Sequence, residues 1–329
     1  MGGVAPTLAA RPPAADNPTM IPPPGAMRPR ALTPGARVAL VAPAGPLGPG
    51  RIEASAERCR GLGLEPVVFP AAAQRRGYLA GTDAQRLGDL QAAFDDPDIG
   101  AVWALRGGYG TLRILEELDL SRQLRAPIPF LGFSDNTSLH VRHAALGVIS
   151  FHGPHPGGDF PARTEESFRR MLFEGEATGP VRPGPGDPAP RSLASGRAEA
   201  PLVGGNLAIL AALCGTRYTP RARGCILFLE DVGEPAYRVD RMLVQLRRSG
   251  VLDGVAGLAL GRFTGAPADD PCSVVDVFAE LAGELDVPAV IDLPFGHVAD
   301  NRTLPVGGRA ILDADAATLS LPEPAVTLP

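Results

Sequence analysis

Short apolar runs alternate with stretches of helical spacing from residue 38 onward, and no other feature constrains the fold as strongly. Residues 38–42, 65–69, 99–105 and 128–133 have strand length and are apolar almost throughout, as parallel strands covered on both faces must be. Residues 51–62, 83–94, 110–118 and 139–146 read as the helices between them, with Thr82 or Asp83 as an N-cap. Strand and helix in turn require a parallel sheet with right-handed crossovers. At 176–190 the pattern breaks into a segment holding five prolines, a linker or long surface connection. Beyond it come a strand near 197–203, a helix at 206–213 and apolar strands at 225–229 and 255–260. Val239, Met242, Leu243 and Leu246 lie at i, i+3, i+4 and i+7 and give one helix a buried face, and Phe278, Leu281, Ala282 and Leu285 repeat the stripe. The last segment is rich in turns and reads as β structure. The expected organisation is a tail at 1–30, an α/β domain at 31–175, the linker at 176–190 and a smaller, β-rich domain at 191–329.

Composition then removes whole classes of chemistry. All 31 basic residues are arginine, so a Schiff base, a P-loop lysine and a Ser–Lys dyad are excluded. A net charge of −5 gives no reason to expect nucleic acid or an anionic membrane as partner. Cys59, Cys214, Cys225 and Cys272 form no C-x-x-C pair and read as small core residues in a reducing compartment. There is no run of 18 apolar residues. The Ala/Pro/Gly-rich start lacks the apolar core of a secretory signal, which points to a disordered tail and a cytoplasmic protein.

Ser134 stands where the strand at 128–133 gives way to a helix. The amides of a new helix N-terminus there favour developing negative charge. The turn resembles a nucleophile elbow, although Gly132-Phe-Ser134-Asp-Asn136 lacks the second glycine of G-x-S-x-G. A serine nucleophile needs a base, and the base needs an orienting acceptor. Five histidines are available. His140 and His143 on the following helix face solvent or pack against neighbours. His152 and His155 have a spacing that suggests metal ligation, but no third ligand accompanies them, and structural loop roles fit better. His297 follows a strand, a good station for a catalytic side chain. Glu230 and Asp231 end an apolar strand and are either acidic partners of a base or helix caps, and Glu234 could open the next helix. Arg106-Gly-Gly-Tyr-Gly110 after the third strand is either a phosphate cradle, without the G-x-G-x-x-G spacing, or half of an oxyanion hole.

Eight stretches together resemble the LD-carboxypeptidase family, which includes muramoyl-tetrapeptide carboxypeptidases and microcin-immunity peptidases. They are Val41-Ala-Pro-Ala-Gly45, Gly77-Tyr-Leu-Ala-Gly-Thr-Asp83, Arg106-Gly-Gly-Tyr-Gly110, Gly132-Phe-Ser-Asp-Asn-Thr137, Phe151-His-Gly-Pro154, Gly204-Gly-Asn-Leu207, Leu227-Phe-Leu-Glu-Asp231 and Phe295-Gly-His297. They occur in the family's order and span nearly everything after the tail. The resemblance implies a Rossmann-like or flavodoxin-like N-terminal domain beside a smaller β-rich one, with the site between them and a homodimer as the usual assembly. It implies a triad of Ser134 as nucleophile, His297 as general base and Glu230 as its orienting acid. It also implies an oxyanion hole from the amides of Gly108 and Asp135, and no metal or cofactor. The implied substrate is a small peptide, a murein tetrapeptide cut at its L,D bond to release terminal D-alanine. Arg106 is the residue expected to face the terminal carboxylate, with a domain-interface ion pair as its other reading. Two other functions stand beside this one: an amidase that detoxifies a peptidyl-nucleotide antibiotic, which calls for an aromatic surface to stack a base, and a non-catalytic α/β ligand-binding protein.

Overall fold

The computed structural model describes residues 25–267 and 270–329. In chain order the elements are β1 (Arg37–Val41), α1 (Pro49–Gly61), β2 (Glu65–Val68), α2 (Asp83–Asp95), β3 (Ile99–Ala104), α3 (Thr111–Ile114), β4 (Phe130–Gly132), α4 (Thr137–Ala145), β5 (Ser150–His152), α5 (Ala162–Leu172), β6 (Gly179–Pro180), β7 (Arg191–Ala194), β8 (Arg197–Asn206), α6 (Leu207–Leu213), β9 (Ile226–Val232), α7 (Ala236–Arg248), β10 (Gly257–Thr264), α8 (Val274–Leu285), β11 (Ala289–Ile291), β12 (Leu304–Val306), β13 (Arg309–Asp313) and β14 (Thr318–Leu321).

The strands form two sheets. The first runs β12-β5-β4-β3-β1-β2 and the second β6-β14-β13-β8-β9-β10-β11-β7. In the first, β1 to β5 pair in parallel, the α/β architecture that the alternation demands. The late strand β12 returns to pair antiparallel with β5, with Leu304 opposite His152. In the second sheet β8, β9, β10 and β11 are parallel, and β7, β13, β14 and β6 add antiparallel edges. The central strands β3, β4 and β9 are almost wholly buried, which is why they read as continuous apolar runs. Each 100 Å² of apolar surface so removed from water contributes about 2.5 kcal/mol.

Local chemistry explains where helices begin. Thr82 caps α2 in a reciprocal capping box with Gln85. Asn206 accepts from the Ile209 amide and caps α6. The expected helix at 110–118 shrinks to one turn, Thr111–Ile114. Gly110 offers no capping side chain, and Glu116 and Glu117 would place negative charge where the helix dipole disfavours it.

Two expectations are corrected and one pair of alternatives is decided. Of the two readings for His140 and His143, packing against neighbours holds: both are buried, His140 against Ser150 Oγ and the Gly132 carbonyl at 2.8 Å each, His143 against the Leu139 carbonyl at 2.8 Å. Cys59 and Cys225 are core residues, but Cys214 is only half-buried and Cys272 is exposed. Of the expected tail, residues 1–24 lie outside the described residues, whereas Met27 bridges to Val148 and Arg30 to Thr327, so 25–30 belong to the folded body. Among the described residues no helix is long and apolar enough to cross a membrane.

Candidate active site

β4 ends at Gly132, and the chain turns through Phe133 into a short 3-10 turn, Ser134–Asn136, that leads into α4. Ser134 has φ of 62°, the left-handed conformation of a nucleophile elbow, held in a residue that carries a Cβ. Buried bonds fix this turn. The Asp135 carboxylate accepts from the Thr111 amide at 2.9 Å and its hydroxyl at 2.7 Å. Asn136 Nδ2 donates to the carbonyls of Arg106 at 3.2 Å and Phe133 at 3.0 Å, tying the elbow to the loop after β3. That loop comes very close: a Cβ on Gly107 would lie 2.7 Å from Ser134 Cβ and 3.2 Å from the Asp135 amide nitrogen. Only a glycine fits there. The contact brings the Gly107–Gly108 segment beside the Asp135 amide.

The residues expected to act as acid and base lie on the second sheet and the loop after it. Glu230 and Asp231 are neighbours on β9, and successive strand residues point to opposite faces. Asp231 faces α6, accepting from Asn206 Nδ2 at 2.9 Å and from the Ala208 amide at 2.9 Å, so it takes the capping role. Glu230 faces the other way, fully buried, and its Oε2 lies 2.7 Å from His297 Nδ1. Glu234 is apart from both and pairs with Arg238 at 3.6 Å. His297 follows β11 on a loop that passes directly over Glu230. A Cβ on Gly296 would stand 2.7 Å from both Glu230 Cβ and Oε2, and Gly296 has φ of 100°. The loop is pinned by the Gly296 amide donating to Asn301 Oδ1 at 2.9 Å. We therefore expect Gly296→Ala to displace the carboxylate, cost ~1–3 kcal/mol of backbone strain and lower turnover about 100-fold. Thermal melting and steady-state kinetics measure the two effects separately.

Burial acts to raise the Glu230 pKa, but the imidazoles of His152 and His297 outweigh it and hold the carboxyl at about 2. Burial acts to lower His297, and the Glu230 hydrogen bond and charge overcome it, leaving the imidazole above its ordinary value. Burial pushes the Asp135 carboxyl up, against its hydrogen bonds from Thr111.

Ser134 and His297 line the same cleft, of about 510 Å³, with Leu47, Arg51, Arg75, Arg106 and His155. Nδ1 of His297 is engaged by Glu230, which leaves Nε2 as the nitrogen free to serve the cleft. Phe133, beside the serine, packs edge-on against the His297 ring at 4.9 Å and stacks on His155 at 4.3 Å. Burial lowers the His155 pKa to about 3, so that ring is a neutral wall. Arg106 is exposed at the cleft and donates to the Pro46 carbonyl at 2.9 Å. Neither it nor Arg75 forms an ion pair among the described residues. The interface ion pair considered for Arg106 is thus not formed. Arg51, Arg75, Phe133 and Asn301 were not legible as site residues. No motif marks Arg51, Arg75 or Asn301, and Phe133 lies inside the Gly132–Thr137 stretch without being singled out there; only the proximity of Arg75 to the 77–83 stretch hinted at a role for it. Among the described residues no three His, Cys, Asp or Glu side chains group to hold a metal ion.

Residues 38–153 match the LD-carboxypeptidase N-terminal domain and residues 199–312 the LD-carboxypeptidase C-terminal domain. A Streptomyces coelicolor protein is 46% identical over 312 residues, covering 92% of this chain and 98% of its own. The murein tetrapeptide carboxypeptidase of Pseudomonas aeruginosa is 38% identical over 294 residues, covering 85% of this chain and 94% of its own. Among solved structures, the microcin C7 self-immunity protein MccF superposes with a TM-score of 0.83 at 23% identity, over 92% of this chain and 100% of that one, a likeness of fold.

Proposed function

This chain belongs to the LD-carboxypeptidase family and is an enzyme of that family, a hydrolase; from that premise we propose that it releases terminal D-alanine from a murein tetrapeptide through an acyl-enzyme on Ser134. The observation that carries the reading is the buried Glu230 carboxylate 2.7 Å from His297 Nδ1, in a cleft that the Ser134 elbow also lines. Ser134 Oγ attacks the carbonyl carbon of the L,D bond while His297 Nε2 takes its proton. The tetrahedral oxyanion rests on the amides of Gly108 and Asp135, each worth roughly 3–4 kcal/mol in a hydrolase. His297 returns the proton to the D-alanine nitrogen as the C–N bond breaks. Water, deprotonated by the same imidazole, then attacks the ester and regenerates the serine. Glu230 stabilises the imidazolium and fixes its tautomer. Arg106, with Arg75 beside it, presents unpaired positive charge to the terminal carboxylate. The same reading extends to a role in peptidoglycan recycling, in the cytoplasm, as a homodimer.

Incubation of the purified protein with a murein tetrapeptide tests this directly: a mass loss of one D-alanine supports it, and an intact tetrapeptide at high enzyme concentration refutes it. The pH profile is a second check. His297 must be neutral to accept a proton, and its pKa is raised. Activity is therefore absent at low pH and rises with pH through an inflection in kcat/KM that lies above the ordinary imidazole value of 6.5. An inflection at or below that value would contradict the Glu230–His297 coupling.

One observation favours the amidase alternative. Tyr78 and Tyr109 are exposed, their rings 5.7 Å apart and edge to face, in a hollow that adjoins the cleft and shares Arg75 and Arg106 with it. Such rings can stack a base, whereas Trp103 is buried against Phe168 and cannot. A larger kcat/KM for an aminoacyl sulfamoyl adenosine than for the tetrapeptide would select that reading. Non-catalytic ligand binding gives way to the family assignment.

A further inference from the structure

Glu230 has two imidazoles near it, and the triad uses only one. His152 ends β5 in the first sheet, is fully buried, and sets its Nε2 3.7 Å from Glu230 Oε1. Its ring sits in an aromatic cage, edge to face with Phe133, Phe228 and Phe295 at 5.8, 5.2 and 6.4 Å. Both ring nitrogens of His152, and Glu230 Oε1, are buried with no hydrogen-bond partner among the described residues. Buried polar atoms are rarely left so, and the nearest polar group that each could serve is the other. The remaining charged and titratable groups nearby are committed elsewhere: His140 to Ser150 and Gly132, Asp231 to Asn206 and Ala208, His297 to Oε2.

We propose that His152 is a positioning residue for the reaction. With its proton on Nε2 it donates to Glu230 Oε1, so that the carboxylate is gripped between two imidazoles, one on each oxygen, and aimed at His297. The 3.7 Å gap closes to a charge-assisted hydrogen bond with a shift of about 1 Å. The contact also has a structural meaning. β5 adjoins β4, which delivers the nucleophile, whereas β9 delivers the acid, so His152 ties the two sheets together at the point where their catalytic groups must agree. Nothing in the triad requires this residue, since Glu230 reaches His297 without it.

The inference rests on the triad reading, and the test separates the two. His152→Gln keeps a donor at similar reach, and His152→Met matches it in length without one. Their rates of labelling by a fluorophosphonate probe, and their kcat and KM, are compared with wild type. Expected are near wild-type rates for His152→Gln, within about threefold, and a 10- to 100-fold lower kcat and labelling rate for His152→Met with KM little changed, the size typical of supporting groups. If His152→Met does not fold, His152→Phe, which fills the cage without a donor, replaces it. Equal rates in donor and non-donor variants, whether both high or both low, overturn the inference. A wild type inert to the probe overturns the triad reading and takes this inference with it.

Discussion

Replacing Ser134 by alanine is expected to lower turnover by about four to six orders of magnitude, the loss seen when a hydrolase gives up its nucleophile. Stability should scarcely change. Among the described residues Ser134 Oγ forms no hydrogen bond that alanine would forfeit, and alanine keeps the Cβ that packs beside Gly107. The backbone is where the cost lies. A non-glycine residue at φ of 62° stores about 1 kcal/mol or more, a cost a nucleophile elbow incurs to present its side chain. Ser134→Gly should therefore be inactive as well and yet melt at a higher temperature than Ser134→Ala. D-alanine release measures the first effect and calorimetry the second. An alanine variant that retains more than about a hundredth of wild-type turnover would remove Ser134 from the mechanism.

That strain was half visible before any coordinates. A strand running into a helix at 128–139 fixes the place of a sharp turn, and a serine at the seam suggests its use, but no residue type announces a positive φ when the usual glycine is absent. The capping box on α2 and the buried strands were legible because each depends on a few neighbouring residues. The choice between Glu230 and Asp231 was not. It follows from the two-residue period of β9 together with the location of Asn206, and the latter is a fact about β8. Likewise His140 and His143 could not be placed, since helical spacing says that they share a face but not whether that face meets solvent or β4. The cleft arginines Arg51 and Arg75 converge only through tertiary packing. Pattern along the chain reports local preference, and a site assembled from two sheets is a matter of which preferences meet.

His297→Ala is the second large effect, an expected fall in kcat of about three to five orders of magnitude in a protein that remains folded. The loop carrying it does not depend on the imidazole. Its backbone is held by the Gly296 amide on Asn301, by the Arg262–Gly296 bridge and by Thr264 Oγ1 donating to the His297 carbonyl at 3.3 Å. What the variant does lose is the partner of a buried carboxylate oxygen, at a cost of about 1–3 kcal/mol, so a lower melting temperature should accompany the loss of rate. Coupling gives the sharper test. If the imidazole acts by taking the proton of Ser134, then the double variant Ser134→Ala/His297→Ala should be no slower than the poorer single variant, because neither group has work to do without the other. Losses that instead multiply would mean that the two side chains contribute independently, and the proton would then have to leave Ser134 by another route.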